Sequence, residues 1–218
     1  RSPRAQYEAG RFLAALPEAA DPSAPVYSFA RAHFERTSEL DAGFKLGWLG
    51  LLHLNCKAGL AIDQAWLAAL GKGLRFAPFG PADSNLLLSV KEQSIAGTLC
   101  LDRGEVELLF VLALGNTTML PHVRAELHAW LADYFVLKER DLVAAKMELD
   151  RARILNPYNP SIRLRQAQLA LMNGRKAAAD AILKDLDRLD LGKSDKAMRS
   201  KLKKCMDELN AGNACSIE

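Results

Sequence analysis

The residues of this chain whose chemistry goes beyond packing are four cysteines and four histidines. A closed zinc site needs four ligands, usually supplied as two closely spaced pairs. His53 and Cys56 lie one helical turn apart, but no second pair has such a spacing. His33, His122 and His128 are scattered, and spacing alone assembles no Cys–His nucleophile from them. We therefore expect no metal, no cofactor and no catalytic residue in this segment.

The sequence also gives no sign of a pair of carboxylates placed for general acid–base catalysis. Glu105 and Glu107 alternate on a predicted helix, so they cannot share one face of it. Asp133 has no evident carboxylate partner in the sequence. The pattern favours a binding protein over an enzyme.

The cysteines allow two interpretations. In a helical-hairpin arrangement, Cys56 and Cys100 each lie near the C-terminal end of the first helix of a hairpin, and neighbouring first helices run side by side. A disulfide between them would stabilise the fold by about 4 kcal/mol, and Cys205 and Cys215 would likewise join the last helix to the tail. The alternative is that Cys56, Cys100 and Cys205 are small core residues in a reducing compartment.

These residues must be positioned by helices, since no stretch shows sustained strand alternation. A 34-residue repeat counted from Pro160 has small or apolar residues at positions 8, 15, 20, 24 and 27, as the tetratricopeptide pattern requires. They are Ala167, Gly174, Ala179, Leu183 and Leu186. Small residues at positions 8 and 20 let the two helices of a hairpin approach closely.

The preceding unit follows the same rule in its second half, at Ala145, Leu149, Ala152 and Pro157. Its first half arrives one residue early, at Leu131, Ala132 and Phe135. The offset predicts a long turn from Lys138 to Asp141.

The first half of the chain shows a weaker version of the pattern. A first helix contains Ala9, Gly10 and Leu13, and a second contains Ala30, Phe34, Leu40 and Ala42, with an insertion through Pro17, Pro22 and Pro25 between them. Further helices are predicted from Ala42 to Lys57, from Asp63 to about Leu74, from Ser84 to about Cys100, and from a capping box of Asp102 and Glu105 to about Gly115.

An amphipathic helix from Ser194 to Gly212 is the natural cap of such an array, because an array end must cover apolar surface. Its lysines from Lys201 to Lys204 are expected to form a solvated face, with contact to anionic lipid or nucleic acid as the alternative. A net charge of +3 does not require nucleic acid, and we expect none as a partner.

The sequence thus predicts an all-α fold, a tetratricopeptide-like helical-hairpin solenoid with divergent central repeats and a C-terminal capping helix. We expect residues 1–218 to form one domain. Its parts are a repeat with an enlarged loop (1–42), divergent hairpins (43–118), two repeats (119–157 and 158–192), and the capping helix with its tail (193–218).

Three stretches carry a family resemblance: SPRAQYEAGRFLAAL, GPADSNLLL and RARILNPYNPSIRLRQAQLALMNGR. They resemble the tetratricopeptide-type C-terminal domain of bacterial polytopic inner-membrane proteins, which are similar in layout to the transmembrane and tetratricopeptide-repeat O-mannosyltransferases. The resemblance implies a soluble domain on the periplasmic side of the inner membrane. It would be tethered through an upstream region to a glycosyltransferase-like or cell-envelope module. It transfers no catalytic residue to this chain.

Two function classes follow. The first is a non-catalytic scaffold that binds a protein or extended peptide in a groove formed by first helices. The repeat register predicts that groove to contain Tyr7, Arg11, Ala14, Leu164, Gln168 and Leu171. The second is a cytoplasmic regulatory or carbohydrate-acting helical-repeat protein whose helices enclose a pocket.

Overall fold

Helices are the regular secondary structure throughout the described part of the chain. A computed structural model describes residues 2–41, 44–189, 191–211, 213 and 215. Over these residues it contains eleven α-helices and no strand, which confirms the predicted all-α class. The helices are α1 (Pro3–Ala15), α2 (Pro25–Leu40), α3 (Leu46–Lys57), α4 (Gln64–Phe76), α5 (Pro81–Ala96), α6 (Arg103–Leu114), α7 (Pro121–Tyr134), α8 (Leu142–Leu155), α9 (Pro160–Met172), α10 (Lys176–Leu186) and α11 (Lys193–Asn210).

The chain divides into two compact units, Arg1–Met119 and Leu120–Glu218. The first contains α1 to α6, with a short 3-10 helix, Pro17–Ala20, in the loop between α1 and α2. The second contains α7 to α11. A single continuous solenoid over residues 1–218 stays a prediction.

Helix starts follow the local capping signals. Ser2 accepts a bond from the Ala5 N–H, and Asp63 accepts one from the Ala65 N–H, so each satisfies a donor in the first turn. Asp102 and Glu105 form the predicted capping box of α6.

One predicted helix end is wrong, and two others are displaced by one or two residues. Helix α5 stops at Ala96, well before Cys100, because Gly97 has φ 72° and the Thr98 N–H donates back to the Gln93 carbonyl. Helix α4 continues two residues past Leu74, and α11 begins at Lys193, after Gly192, and not at Ser194.

Two other predicted ends involve residues outside the described part. Ala42, the predicted start of α3, is one of them, and the described helix begins at Leu46. Gly212 is the other, and α11 ends at Asn210.

The one-residue offset in the second unit is accommodated by a π-helical turn. Helix α7 passes directly into a π-helical segment, Phe135–Glu139, before Arg140 turns the chain with φ 56°. Asp141 then caps α8 by accepting from the Ala144 N–H at 2.9 Å. A π turn contains one residue more than an α turn. The extra residue therefore lies in a widened helix end, Phe135–Glu139, which overlaps the start of the predicted long turn.

The core of the second unit depends on small residues where hairpins cross. Ala167 and Ala179, the small residues predicted to let two helices approach closely, are fully buried between α9 and α10. Leu183 of α10 and Leu202 and Cys205 of α11 complete the same apolar cluster. Helix α11 therefore packs on α9 and α10.

The first unit contains a buried ion pair between α3 and α5. Lys45, just before α3, places Nζ 2.6 Å from Oδ1 of Asp83, and their side chains are 5% and 10% exposed. The other Asp83 oxygen accepts from the Gly80 N–H at 2.8 Å, at the start of α5. The carboxylate thus binds a cation and caps its own helix.

We predict that Asp83→Asn lowers the free energy of unfolding by about 3 kcal/mol, because it leaves the Lys45 ammonium buried without a counter-charge. The double variant Lys45→Met, Asp83→Leu should recover most of the loss, since it buries no charge. Urea denaturation measures both. The control is Glu107→Gln, which breaks the half-exposed Arg103–Glu107 pair and should cost less than about 1 kcal/mol. Equal losses for Asp83→Asn and Glu107→Gln would contradict the prediction.

Candidate functional site

A groove opens between α1, α3 and α5 in the first unit. The groove encloses about 470 Å³. This volume lies in the range of ligand-binding clefts. Its lining includes Tyr7, Arg11 and Ala14 of α1, Leu46, Leu49, Gly50 and His53 of α3, and Asn85, Leu86, Ser89 and Gln93 of α5.

The floor of the groove is the ring of Phe34, which reaches it from α2. Two glycines make room for this ring. A Cβ atom at Gly50 would lie 2.5 Å from the Phe34 ring, and one at Gly10 would lie 2.9 Å from it. Side chains at these positions would push α1 and α3 away from α2. The glycines therefore allow an aromatic floor between closely packed helices.

Tyr7 and Arg11 form the α1 wall. The Tyr7 ring packs against Phe34 and Phe44, with centroids 5.9 and 6.0 Å apart. Burial raises the pKa of Tyr7, although the Arg11 charge opposes the shift. The hydroxyl is therefore protonated at neutral pH and able to donate. Arg11 pairs with Glu8 of its own helix and stays exposed at the rim.

The α5 wall is a row of neutral polar side chains. Asn85, Ser89 and Gln93 recur every four residues and therefore lie on one face of the helix. The Gln93 amide donates to the Ser89 hydroxyl at 2.9 Å. Its Oε1 atom is buried and has no hydrogen-bond partner of good geometry. Asn85 is exposed and makes no side-chain bond within the described residues.

His53 faces this row from α3. Its Nδ1 atom is buried and also lacks a partner of good geometry. Burial lowers the pKa of His53, a side-chain hydrogen-bonding interaction with Gln93 partly opposes this, and the Lys57 charge adds to the lowering. The imidazole is therefore neutral at pH 7. A neutral imidazole and an amide offer both donors and acceptors, and burying such atoms unpaired is costly.

The structure divides the predicted groove residues into two groups. Tyr7, Arg11 and Ala14 line the groove together. In the second unit, Gln168 lines a small cavity of about 40 Å³ beside the Arg165–Asp133 ion pair. Leu164 and Leu171 are 0% and 5% exposed in the core with α10 and α11. Those two side chains face the core and not a groove, because the packing of α11 also needs apolar residues from α9.

Both predicted cysteine pairs are close in space and are bonded in the structure. The Cα atoms of Cys56 and Cys100 are 5.2 Å apart, and those of Cys205 and Cys215 are 5.3 Å apart. These separations are usual for disulfides. The first pair joins the end of α3 to the loop after α5. The second holds the tail against α11.

His33 and His128 take part in structural contacts. His33 lies 2.6 Å from the side-chain oxygen of Gln6, which joins α2 to α1. His128 contacts Glu148 at 2.6 Å between α7 and α8, and the second oxygen of that buried carboxylate binds Arg151. Within the described residues, no group of three His, Cys, Asp or Glu side chains is arranged to hold a metal.

Sequence reasoning missed His53, Asn85, Ser89 and Gln93 as groove residues. The polar side chains of α5 at intervals of four residues were the available signal. Nothing in the local sequence shows that α5 faces α1 and α3, because both of those helices are distant from α5 in the sequence. Comparison with protein-family models, with curated proteins and with solved structures finds no match to this chain.

We predict that His53 makes folding sensitive to mild acid. Its pKa in the folded state is lowered from 6.5 by burial, so below that pH the unfolded chain takes up a proton more readily than the folded one. Stability should fall as the pH drops through this window, and His53→Gln should reduce the fall. Thermal melting between about pH 7.5 and about pH 5 measures it. His122→Gln, which changes an exposed histidine, is the control. Equal acid sensitivity in the wild type and His53→Gln would contradict the prediction.

Proposed function

We propose that this chain is a non-catalytic scaffold that binds an extended segment of a partner protein in the groove between α1, α3 and α5. The main support is the groove's combination of an aromatic floor with the buried atoms His53 Nδ1 and Gln93 Oε1, which have no hydrogen-bond partner of good geometry although the two side chains interact with each other. Such atoms are costly unless a ligand completes their hydrogen bonds.

An extended peptide has the right chemistry for this surface. Its backbone brings a donor and an acceptor at every residue, and Asn85, Ser89, Gln93 and His53 bring complementary groups from both walls. Apolar side chains of the peptide would be buried against Phe34 and the leucines of the walls. Arg11 at the rim would attract a carboxylate and so favour one orientation.

The hairpins of the first unit support a tetratricopeptide-like arrangement as part of the same proposal. Helices α1, α3 and α5 share the groove, while α4 and α6 pack on each other. Alternating helices therefore line two different faces, as in a stack of antiparallel hairpins. We propose this stacking for both units.

The resemblance extends the proposal to a cell-envelope role, as a domain attached to a membrane-embedded, glycosyltransferase-like protein on the periplasmic side. There it would help that enzyme select or position its acceptor. The two cysteine pairs support an oxidising compartment. No helix in the described ranges is long and apolar enough to cross a bilayer.

The groove is tested by selecting peptides that bind the intact chain and measuring their affinity for variants. Asn85→Trp fills the groove from an exposed position, and we expect it to weaken binding at least about tenfold. Arg11→Ala should weaken acidic peptides about threefold. The measurement is fluorescence anisotropy with a labelled selected peptide.

Arg36→Ala is a matched control for Arg11→Ala. Arg36 is 58% exposed and pairs with Glu39 three residues away, whereas Arg11 is 69% exposed and pairs with Glu8 at the same spacing. Arg36 does not line the groove. If Asn85→Trp and Arg11→Ala both bind as tightly as Arg36→Ala, the groove is not the binding site. If no peptide is selected, the proposal fails as a whole.

The compartment is tested by counting thiols in protein isolated from its own cells with free thiols blocked at lysis. We expect no free thiol before reduction and four after it. The double variant Cys56→Ser, Cys100→Ser should lower the free energy of unfolding by about 4 kcal/mol, because that disulfide closes the longer loop. Four free thiols without reductant would contradict the periplasmic proposal and favour the cytoplasmic alternative.

A further inference from the structure

The second unit contains another open cavity, of about 220 Å³, between α8, α9 and α10. Its floor is apolar, and is formed by Leu149 of α8, Leu169 and Ala170 of α9, and Ile182 of α10. Leu149 and Leu169 are buried, whereas Ala170 and Ile182 are half-buried. The floor can therefore accept an apolar group without rearrangement of the core.

The rim of this cavity is cationic. Lys146, Arg153, Arg163 and Arg175 surround the floor, with Asp150 as the acidic residue among the lining side chains. Asp150 is already neutralised, since Lys146 binds it at 2.5 Å. Arg163 binds Asp185 at 2.7 Å. After these pairs are formed, two positive charges of the rim remain.

Those two charges belong to Arg153 and Arg175. Both are exposed, and neither has an ion-pair partner among the described residues. They come from α8 and from the residue preceding α10, so they border the apolar floor from two elements. A guanidinium binds carboxylates with paired, planar hydrogen bonds.

A neighbouring cavity of about 410 Å³ extends the same surface. It is lined by Arg153, Ile154, Pro157 and Arg163, and thus shares two arginines with the first cavity. Ile154 is 78% exposed. A ligand that follows both cavities meets an apolar floor, two arginines and then a second apolar contact. We call this combined surface the cationic trough.

We propose that the cationic trough binds an acidic peptide segment in which a large apolar side chain lies between carboxylates. The apolar side chain would occupy the floor beside Ile182, and the carboxylates would bind Arg153 and Arg175. The arginine charges favour a ligand that carries carboxylates, and the apolar floor favours a peptide with an apolar side chain over a free inorganic anion. This site is independent of the groove proposed in the first unit.

The probe is an array of six-residue peptides that contain a leucine flanked by glutamates, with matched arrays in which glutamine or lysine replaces glutamate. We expect the wild-type chain to bind the glutamate array in preference to the other two. Binding should weaken on raising NaCl from about 0.05 to about 0.5 M, since exposed charges are screened. Replacing leucine by glycine in the peptide should weaken binding as well.

Two variants with matched controls assign the binding to the trough. Arg153→Gln with Arg175→Gln should weaken binding about tenfold, whereas Arg188→Gln changes an exposed arginine outside both cavities and should have no effect. Ala178→Glu adds a carboxylate to the lining of the cavity and should also abolish the preference for acidic peptides. Its control, Ala177→Glu, adds a carboxylate at the adjacent exposed position outside the lining, and this variant should keep the preference.

Three outcomes would overturn the proposal. One is equal binding by the Arg153→Gln, Arg175→Gln variant and the Arg188→Gln control. Another is no preference for the glutamate array. A third is binding to phosphatidylglycerol vesicles without binding to any acidic peptide, which would make the trough a lipid contact. Loss of binding in Ala178→Glu with retention in Ala177→Glu supports it, provided that both variants melt like the wild type.

Discussion

A charge pair buried between the starts of α3 and α5 constrains the first unit. The Lys45 stem crosses α4 at Gly73, where a Cβ atom would lie 3.2 Å from Lys45 Cγ, and its ammonium reaches Asp83 at 2.6 Å. Because separating two buried charges is costly, the start of α3 cannot shift relative to α5 without loss of this bond. The α3 and α5 sides of the groove both begin within a turn of the pair, so it sets their separation.

The groove exists because side chains are absent where helices would otherwise be held apart. Gly10 and Gly50 allow α1 and α3 to close on Phe34, which becomes a floor and not a spacer. Above that floor, His53 and Gln93 keep polar atoms buried without good partners. Such atoms reduce the stability of the free protein, and this is expected where a surface is shaped for a ligand and not for packing alone. The groove therefore combines a tightly packed aromatic floor with buried polar atoms of His53 and Gln93 on its walls.

The second unit reaches its stability by different means and offers a different surface. Fully buried alanines at the hairpin crossings bring α9 and α10 together, and α11 covers their remaining apolar face with Leu202 and Cys205. At the rim of its cavity, Lys146 and Arg163 are used in ion pairs, whereas Arg153 and Arg175 have no ion-pair partner among the described residues. Neutral polar groups dominate the first surface and cations the second, and the two proposed sites would select different peptide segments.

Local signals in the sequence were enough for the helical class, for the starts of α4 and α6, for the buried alanines between α9 and α10 and for three residues of the groove. These features depend on caps, turns and periodicity within a few residues of one another. Only the tertiary structure placed Lys45 against Asp83, 38 residues away, and His53 opposite α5, and only it buried Leu164 and Leu171 under α11. Those contacts depend on which face of each helix packs against its neighbour. Apolar and polar residues occur on more than one face of these helices, so the periodicity of the sequence alone does not identify the packed face.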